Sequence, residues 1–154
     1  FFGRNWGTFS HSIRGNWLIQ QHDFVNIEDP SDSSDFEDTV GMPRVRFLST
    51  VTWAPVDTLA FSWDWDWQAS QEIFDVDNMV ANPDLYETAK YLETGDFSQH
   101  DFSVRWAARD NLTVRAGVVN AFDAEPARWL GNTTADNFDL FGRRFYLSLN
   151  YRPF

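Results

Sequence analysis

Three histidines and one pair of neighbouring carboxylates are the residues of this chain whose types best suit chemistry. His11, His22 and His100 could ligate a metal or carry a proton, but they are scattered and share no metal-ligand spacing. Asp64 and Asp66 lie two residues apart and point the same way along an extended chain. As an acid/base pair they need a placement that the sequence does not supply, and no catalytic group stands out beside them. The chain holds no cysteine, which removes disulfides, thiolate nucleophiles and thiolate metal sites. A formal net charge of −11 argues against nucleic-acid binding, which needs a basic footprint. The expectation is a protein that is not an enzyme and needs neither cofactor nor metal.

The segment that carries the two aspartates is more informative than the pair. Residues 60–70, AFSWDWDWQAS, alternate without a slip. Phe61, Trp63, Trp65, Trp67 and Ala69 fall on one face of a strand, and Ser62, Asp64, Asp66, Gln68 and Ser70 on the other. Five more segments alternate in the same way. They are roughly Thr8–Gln21, Arg44–Trp53, Asp101–Ala108, Leu112–Asn120 and Arg144–Arg152. Helical spacing is sustained nowhere; the best candidate is a turn or two within Pro83–Leu92. No run of about 18 apolar residues exists, so no transmembrane helix is expected, which leaves a membrane β-barrel open.

The connections sort themselves. Two are short, around Pro55–Asp57 and Asp110–Asn111, and both hold turn residues. Three are long, roughly Asp23–Pro43, Ser70–Gln99 and Phe122–Gly142. The order long, short, long, short, long puts every short turn at one end of an up-and-down sheet. A soluble meander has no reason to sort its loops so, whereas an outer-membrane barrel does, with short turns towards the periplasm. The long loops are acidic, and EDPSDSSDFED, residues 28–38, reads as a solvated run.

The loop order assigns the faces. Arg44, Arg46, Asp64, Asp66, Asp101, Arg105 and Arg115 recur on the polar side and are expected to face a wet lumen, with Asp64, Asp66, Asp101, Arg105 and Arg115 as a ladder of compensating charges. Trp53, Trp63, Trp65, Trp67 and Trp106 fall on the apolar side and are expected to meet lipid. Their positions near both strand ends suit aromatic girdles, and an aromatic content of 18 % supplies them. In the loops, Tyr86, Tyr91, Trp129 and Phe138 are candidates for touching a ligand.

Residues 111–129, NLTVRAGVVNAFDAEPARW, and 141–154, FGRRFYLSLNYRPF, resemble the end of a TonB-dependent outer-membrane receptor. The family's penultimate strand is matched by Asn111, Leu112, Gly117, Val118, Asn120, Phe122, Asp123 and Pro126. Its closing strand is matched by Gly142, Arg143, Phe145, Tyr146, Leu147, Leu149, Tyr151 and Phe154. Upstream, Gly41 and Pro43 resemble the family's Gly-x-Pro strand start. The ending departs from the usual Tyr-x-Phe, since Pro153 puts Phe154 out of phase with Tyr151.

The resemblance implies an all-β, antiparallel, up-and-down transmembrane barrel of about 22 strands filled by an amino-terminal plug. Residues 1–154 would be its last six strands, because six cannot close a lipid-facing barrel and open edges in hydrocarbon are costly. The implied location is the outer membrane of a Gram-negative bacterium. The implied partners are outer-membrane lipid, the plug and remaining strands, the TonB energy-coupling system through the plug, and the barrel-assembly machinery. That machinery would read Phe145, Leu147, Leu149, Tyr151 and Phe154. The implied activity is energised uptake of a scarce ligand, such as a ferric siderophore, cobalamin or a glycan. Two other readings stand beside it: a soluble carbohydrate-binding β-sandwich with partly wet tryptophans, and a passive porin-like barrel without a plug.

Overall fold

The computed structural model describes residues 6–24, 26, 28, 29, 31, 33–126 and 137–153. Trp129 and Phe154, named above, lie outside the described residues. The elements in chain order are β1 (Thr8–Trp17), β2 (His22–Phe24), β3 (Ser33–Asp35), β4 (Val45–Val56), β5 (Leu59–Gln68), α1 (Val76–Ala81), α2 (Leu85–Thr88), β6 (Phe97–Arg109), β7 (Leu112–Val119) and β8 (Arg144–Tyr151). Six strands form one antiparallel sheet in the order β1-β4-β5-β6-β7-β8, and β2 with β3 forms a separate hairpin in the first long connection. The fold is all-β and up-and-down, and the sheet does not close on itself: β1 and β8 are its two edges.

Alternation makes these strands, and turn chemistry ends them. β4 and β5 are joined across Asp57 and Thr58, and β6 and β7 across Asp110 and Asn111. Both turns follow a register irregularity, between Trp53 and Val56 and between Ala107 and Arg109. Pro55, which has no N–H to give a ladder, sits inside the first of these. The connections after β1, β5 and β7 are the long ones, so the sorted loop ends expected from the sequence are present.

The strands run longer than the alternating segments suggested at one end and shorter at the other. β6 begins at Phe97 rather than Asp101, and β1 stops at Trp17 rather than Gln21. The helical stretch expected within 83–92 is two short helices, one of them earlier. Asp75 caps α1 by accepting from the Asn78 N–H at 2.7 Å, and Pro83 lies in the break before α2.

The sheet buries little against itself. Only Ala60, Phe97 and Phe138 are buried apolar residues among those described. The accessible surface is 11578 Å², against roughly 8,000 Å² for a compact protein of this mass. The second layer that a β-sandwich needs is not present among the described residues.

Candidate functional site

The register places the polar side chains in rows along one face. Arg46 pairs across from Gln68, Thr50 from Asp64, Asp64 from Asp101, Asp66 from Gln99, and Arg105 from Arg115. Arg46 grips Asp66 with two bonds, Nε to Oδ1 at 3.1 Å and an η nitrogen to Oδ2 at 2.6 Å. Asp64 accepts from the Thr50 hydroxyl at 2.6 Å. Asp101 accepts from Gln99 Nε2 at 3.0 Å and from the Asn120 N–H at 2.8 Å. Arg44 stands one residue before β4, outside the sheet, where its N–H donates to Asp38 Oδ1.

The expected ladder among Asp64, Asp66, Asp101, Arg105 and Arg115 is not what the register builds: Asp66 is compensated by Arg46, outside that set. Arg46 and Asp66 compensate each other, whereas Arg105 and Arg115 face one another directly, an arrangement that repels. Those two and Arg152 line a polar cavity of about 430 Å³ near the short turns, together with Asp110, Thr113 and Asn150.

At the long-loop end of the same face lies a group of buried amides that sequence reasoning missed. Gln68 is 2 % exposed and Gln71 1 %. Asn137 donates through Nδ2 to Gln68 Oε1 at 3.2 Å and to Gln71 Oε1 at 2.8 Å, and the Gly41 N–H also reaches Gln71 Oε1. Phe138 packs edge-to-face on Phe97, with ring centres 5.3 Å apart. Asp139 receives two bonds from Arg144, at 2.7 and 2.8 Å, which hold its carboxyl below the usual carboxylate range. A cavity of about 230 Å³ opens between these groups, lined by Arg46, Asp66, Gln68, Gln99, Asn137 and Asp139, with Phe97 and Phe138. Of the proposed loop contacts, Phe138 lines this cavity, while Tyr86 and Tyr91 are exposed elsewhere in the loops, with Lys90 over the Tyr91 ring. Gln68 and Gln99 sit at the long-loop ends of β5 and β6, but no signal in the sequence joins them to Gln71 and Asn137 in the loops.

The opposite face carries the tryptophans and is less purely apolar than its alternation suggested. Trp53, stacked on Phe61, and Trp106 are exposed, while Trp63, Trp65 and Trp67 are half-buried. His100 and Ser98 share this face with them, since Trp65 pairs across from His100 and Trp67 from Ser98. Trp63 Nε1 donates to His100 Nδ1 at 3.1 Å, and Trp65 Nε1 donates to Ser98 Oγ at 2.8 Å. His100 Nε2 lies 3.3 Å from Ser98 Oγ. This network requires the neutral tautomer with its proton on Nε2. The indole N–H groups of Trp63 and Trp65 thus each have a partner on the neighbouring strand. His11 and Ser49 pair in the same way nearby, at 2.9 Å. No group of three or more His, Cys, Asp or Glu is placed to hold a metal among the described residues.

The Asn-x-Phe-Asp run after β7 forms a tight, left-handed end. Asn120 is fully buried with φ +53°, and its amide bonds both polar atoms of the Ala124 backbone, at 2.8 and 2.7 Å. Asp123, also left-handed, accepts from the Arg143 N–H at 2.8 Å and so ties β7 to the start of β8. Phe122 turns back and meets His100 and Phe102 edge-on. In β7 itself, a Cβ on Gly117 would lie 2.7 Å from the Phe102 carbonyl oxygen and from the Tyr146 ring, so glycine makes room for that ring. Phe145, Leu147, Leu149 and Tyr151 all stand exposed on the edge strand β8.

Among solved structures, the siderophore receptor PirA from Acinetobacter baumannii matches 97 % of this chain with a TM-score of 0.61 and 16 % identity. The sheet has the fold of a receptor barrel wall. A variant of the ferric enterobactin receptor PfeA from Pseudomonas aeruginosa matches 93 % of the chain with a TM-score of 0.59 and 21 % identity. The chain spans about a fifth of the length of each, 20 % in both cases. The resemblance read from residues 111–154 is borne out at the level of this fold, and the matched proteins are receptors, not enzymes. No protein-family model matches the sequence, and no curated protein matches it.

Proposed function

We propose that this chain is the carboxyl-terminal wall of a TonB-dependent outer-membrane receptor that takes up a scarce ligand with energy from the inner membrane. The observation that carries the reading is the match of the whole six-stranded sheet, with its sorted loop ends, to siderophore-receptor barrels. On this reading the face of Trp53, Trp63, Trp65, Trp67 and Trp106 meets lipid. The face of Arg46, Asp64, Asp66, Asp101, Arg105 and Arg115 lines the lumen beside a plug, and Arg44 sits at its rim. The unpaired edges β1 and β8 join further strands of the same barrel, because an edge left open in hydrocarbon strands its backbone groups. β8 is then the strand that the barrel-assembly machinery reads.

A soluble sandwich is disfavoured by the apolar face, which no second sheet covers among the described residues. The experiment that tests the proposal starts with an antibody to residues 28–38 and fractionated source cells. A large outer-membrane band that changes mobility on boiling supports the receptor. A soluble band near 17.9 kDa refutes it. Loss of uptake on adding a proton uncoupler separates an energised receptor from a passive barrel.

A further inference from the structure

We propose that the tryptophan face carries a seat for one anionic phospholipid of the leaflet at the short-turn end, with an acyl chain lying along β7. The inference rests on the receptor reading, which puts this face in lipid, and adds that one lipid is selected there. The register draws the seat. On this face β7 presents Leu112, Val114, Ala116 and Val118, all half-buried. β6 sets Trp106, Val104 and Phe102 across from Val114, Ala116 and Val118. β8 sets Tyr151, Leu149, Leu147 and Phe145 along the other side of the same column. Trp106, Phe102 and all four β8 residues are exposed. Smaller side chains thus make the floor of a furrow, and larger ones its banks. Its long-loop half is a cavity of about 420 Å³ lined by Phe61, Phe102, Val104, Ala116, Val118 and Phe145. From Leu112 to Val118 the furrow runs about 20 Å at about 3.4 Å per residue, enough to pass through one leaflet of a hydrocarbon core about 30 Å thick.

One charge selects the lipid. The register irregularity between Ala107 and Arg109 turns Arg109 onto this face, directly across from Leu112. Arg109 stands exposed at the short-turn end of the furrow and makes no ion pair among the described residues. Tyr151 lies across Leu112 on the other bank, and Trp106 one row further in. Asp110, the next residue, lines the cavity on the opposite face. An unpaired guanidinium at the edge of hydrocarbon is met by the phosphate of a lipid. The long-loop end offers no such cation, because Arg143 is held by Asp123 and Arg144 by Asp139. Charge therefore places the headgroup at the short turns and the acyl chain towards Phe145. Among the described residues, no carboxylate stands on this face in any of the six strands. Nothing there receives the ammonium of a zwitterionic headgroup, which leaves a phosphodiester lipid of net negative charge.

The test uses the protein expressed from its complete reading frame, purified from membranes and stripped of lipid in detergent. Phosphatidylglycerol and phosphatidylcholine with the same acyl chains are titrated in turn, and one-lipid complexes are counted by native mass spectrometry. The first phosphatidylglycerol is expected to bind about fivefold tighter than the first phosphatidylcholine, which is what one arginine contributes near an anionic lipid surface. Arg109→Gln should abolish that preference, and Arg109→Lys should keep most of it. Ala116→Trp fills the furrow and should weaken both lipids about tenfold, the equivalent of roughly two methylene groups displaced. Arg14→Gln, on the polar face across from Leu48, should change neither. Equal binding of the two lipids, a preference that survives Arg109→Gln, or binding that ignores Ala116→Trp overturns the seat. So does a dimer that Ala116→Trp dissolves, which would put a second copy in the furrow. Arg109 is exposed at a hairpin end, so its variants decide the matter if Ala116→Trp does not fold. A heat-modifiable outer-membrane protein without the preference defeats the seat alone. A soluble protein defeats the receptor wall, and the seat with it.

Discussion

Replacing His100 by phenylalanine asks whether the tryptophan face meets lipid. The substitution keeps a ring between Trp63 and Trp65, which His100 parallels within 15° at 5.8 and 5.7 Å. It removes the Nδ1 acceptor of the Trp63 N–H and the Nε2 donor to Ser98. In hydrocarbon the orphaned indole N–H costs about 1–3 kcal/mol, and the lost histidine–serine bond, long at 3.3 Å, about another 0.5 kcal/mol. In water the same N–H is rehydrated and the total stays near or below 1 kcal/mol. The expected loss in bilayers is thus about 1.5–3.5 kcal/mol, read as a shift of the urea midpoint followed by heat-modifiability in phospholipid vesicles. A second change, Trp63→Phe, removes the N–H itself. The double variant should then be less destabilised than the sum of the singles by about 1 kcal/mol or more. A single-variant loss at or below about 1 kcal/mol would refute the lipid assignment, and strict additivity of the pair would refute the role given to His100.

Other perturbations follow from the same geometry. Gly117→Ala forces a Cβ to within 2.7 Å of backbone and ring atoms, and should lower stability by about 1–3 kcal/mol in the same urea assay. Asn120→Ala loses two side-chain bonds and puts alanine at φ +53°, costing about 2–4 kcal/mol; Asn120→Gly loses only the bonds and should cost less. Partial burial, then Asp38 and Glu93, push the Glu72 carboxyl above its ordinary value. Its contribution is therefore fully present below the ordinary carboxylate value and is lost as pH rises through the raised one. Hydrogen exchange in residues 69–96 should show protection falling over that rise, and Glu72→Gln should flatten the profile. Asp139 has the opposite sign: its carboxyl is lowered by Arg144, so protection in 137–143 should hold above the ordinary value and fall on acidification.

Period-two alternation made the six-stranded sheet legible because each strand has one face in each of two environments. Loop lengths gave the sorting of the ends, since a turn of two residues allows only a hairpin. The sequence did not reveal what depends on the neighbour across the ladder. His100 and Ser98 break the alternation of β6, and their use becomes visible only when the register sets them beside Trp65 and Trp67. The direct opposition of Arg105 and Arg115 is likewise a fact of register. The buried amides needed more still. Gln71 and Asn137 lie in loops 66 residues apart, and nothing in their types or spacing announces that one donates to the other. In the same way Phe138 looked like a free loop aromatic, and its burial against Phe97 depends on how the third long connection folds over the first residue of β6.

The sorting of connections also bears on how such a protein can change. Closing a loop twice as long costs only about 0.6 kcal/mol in chain entropy, so the three long connections can gain or lose many residues at little expense. The two-residue turns at the other end have no such freedom, because a single insertion there would move one strand's side chains to the wrong face. Variation is thus confined to one rim of the sheet. A lineage could exchange the mouth with its Asn137–Phe138–Asp139 segment while leaving the ladder of β4 to β8 intact. One wall could then serve a succession of ligands.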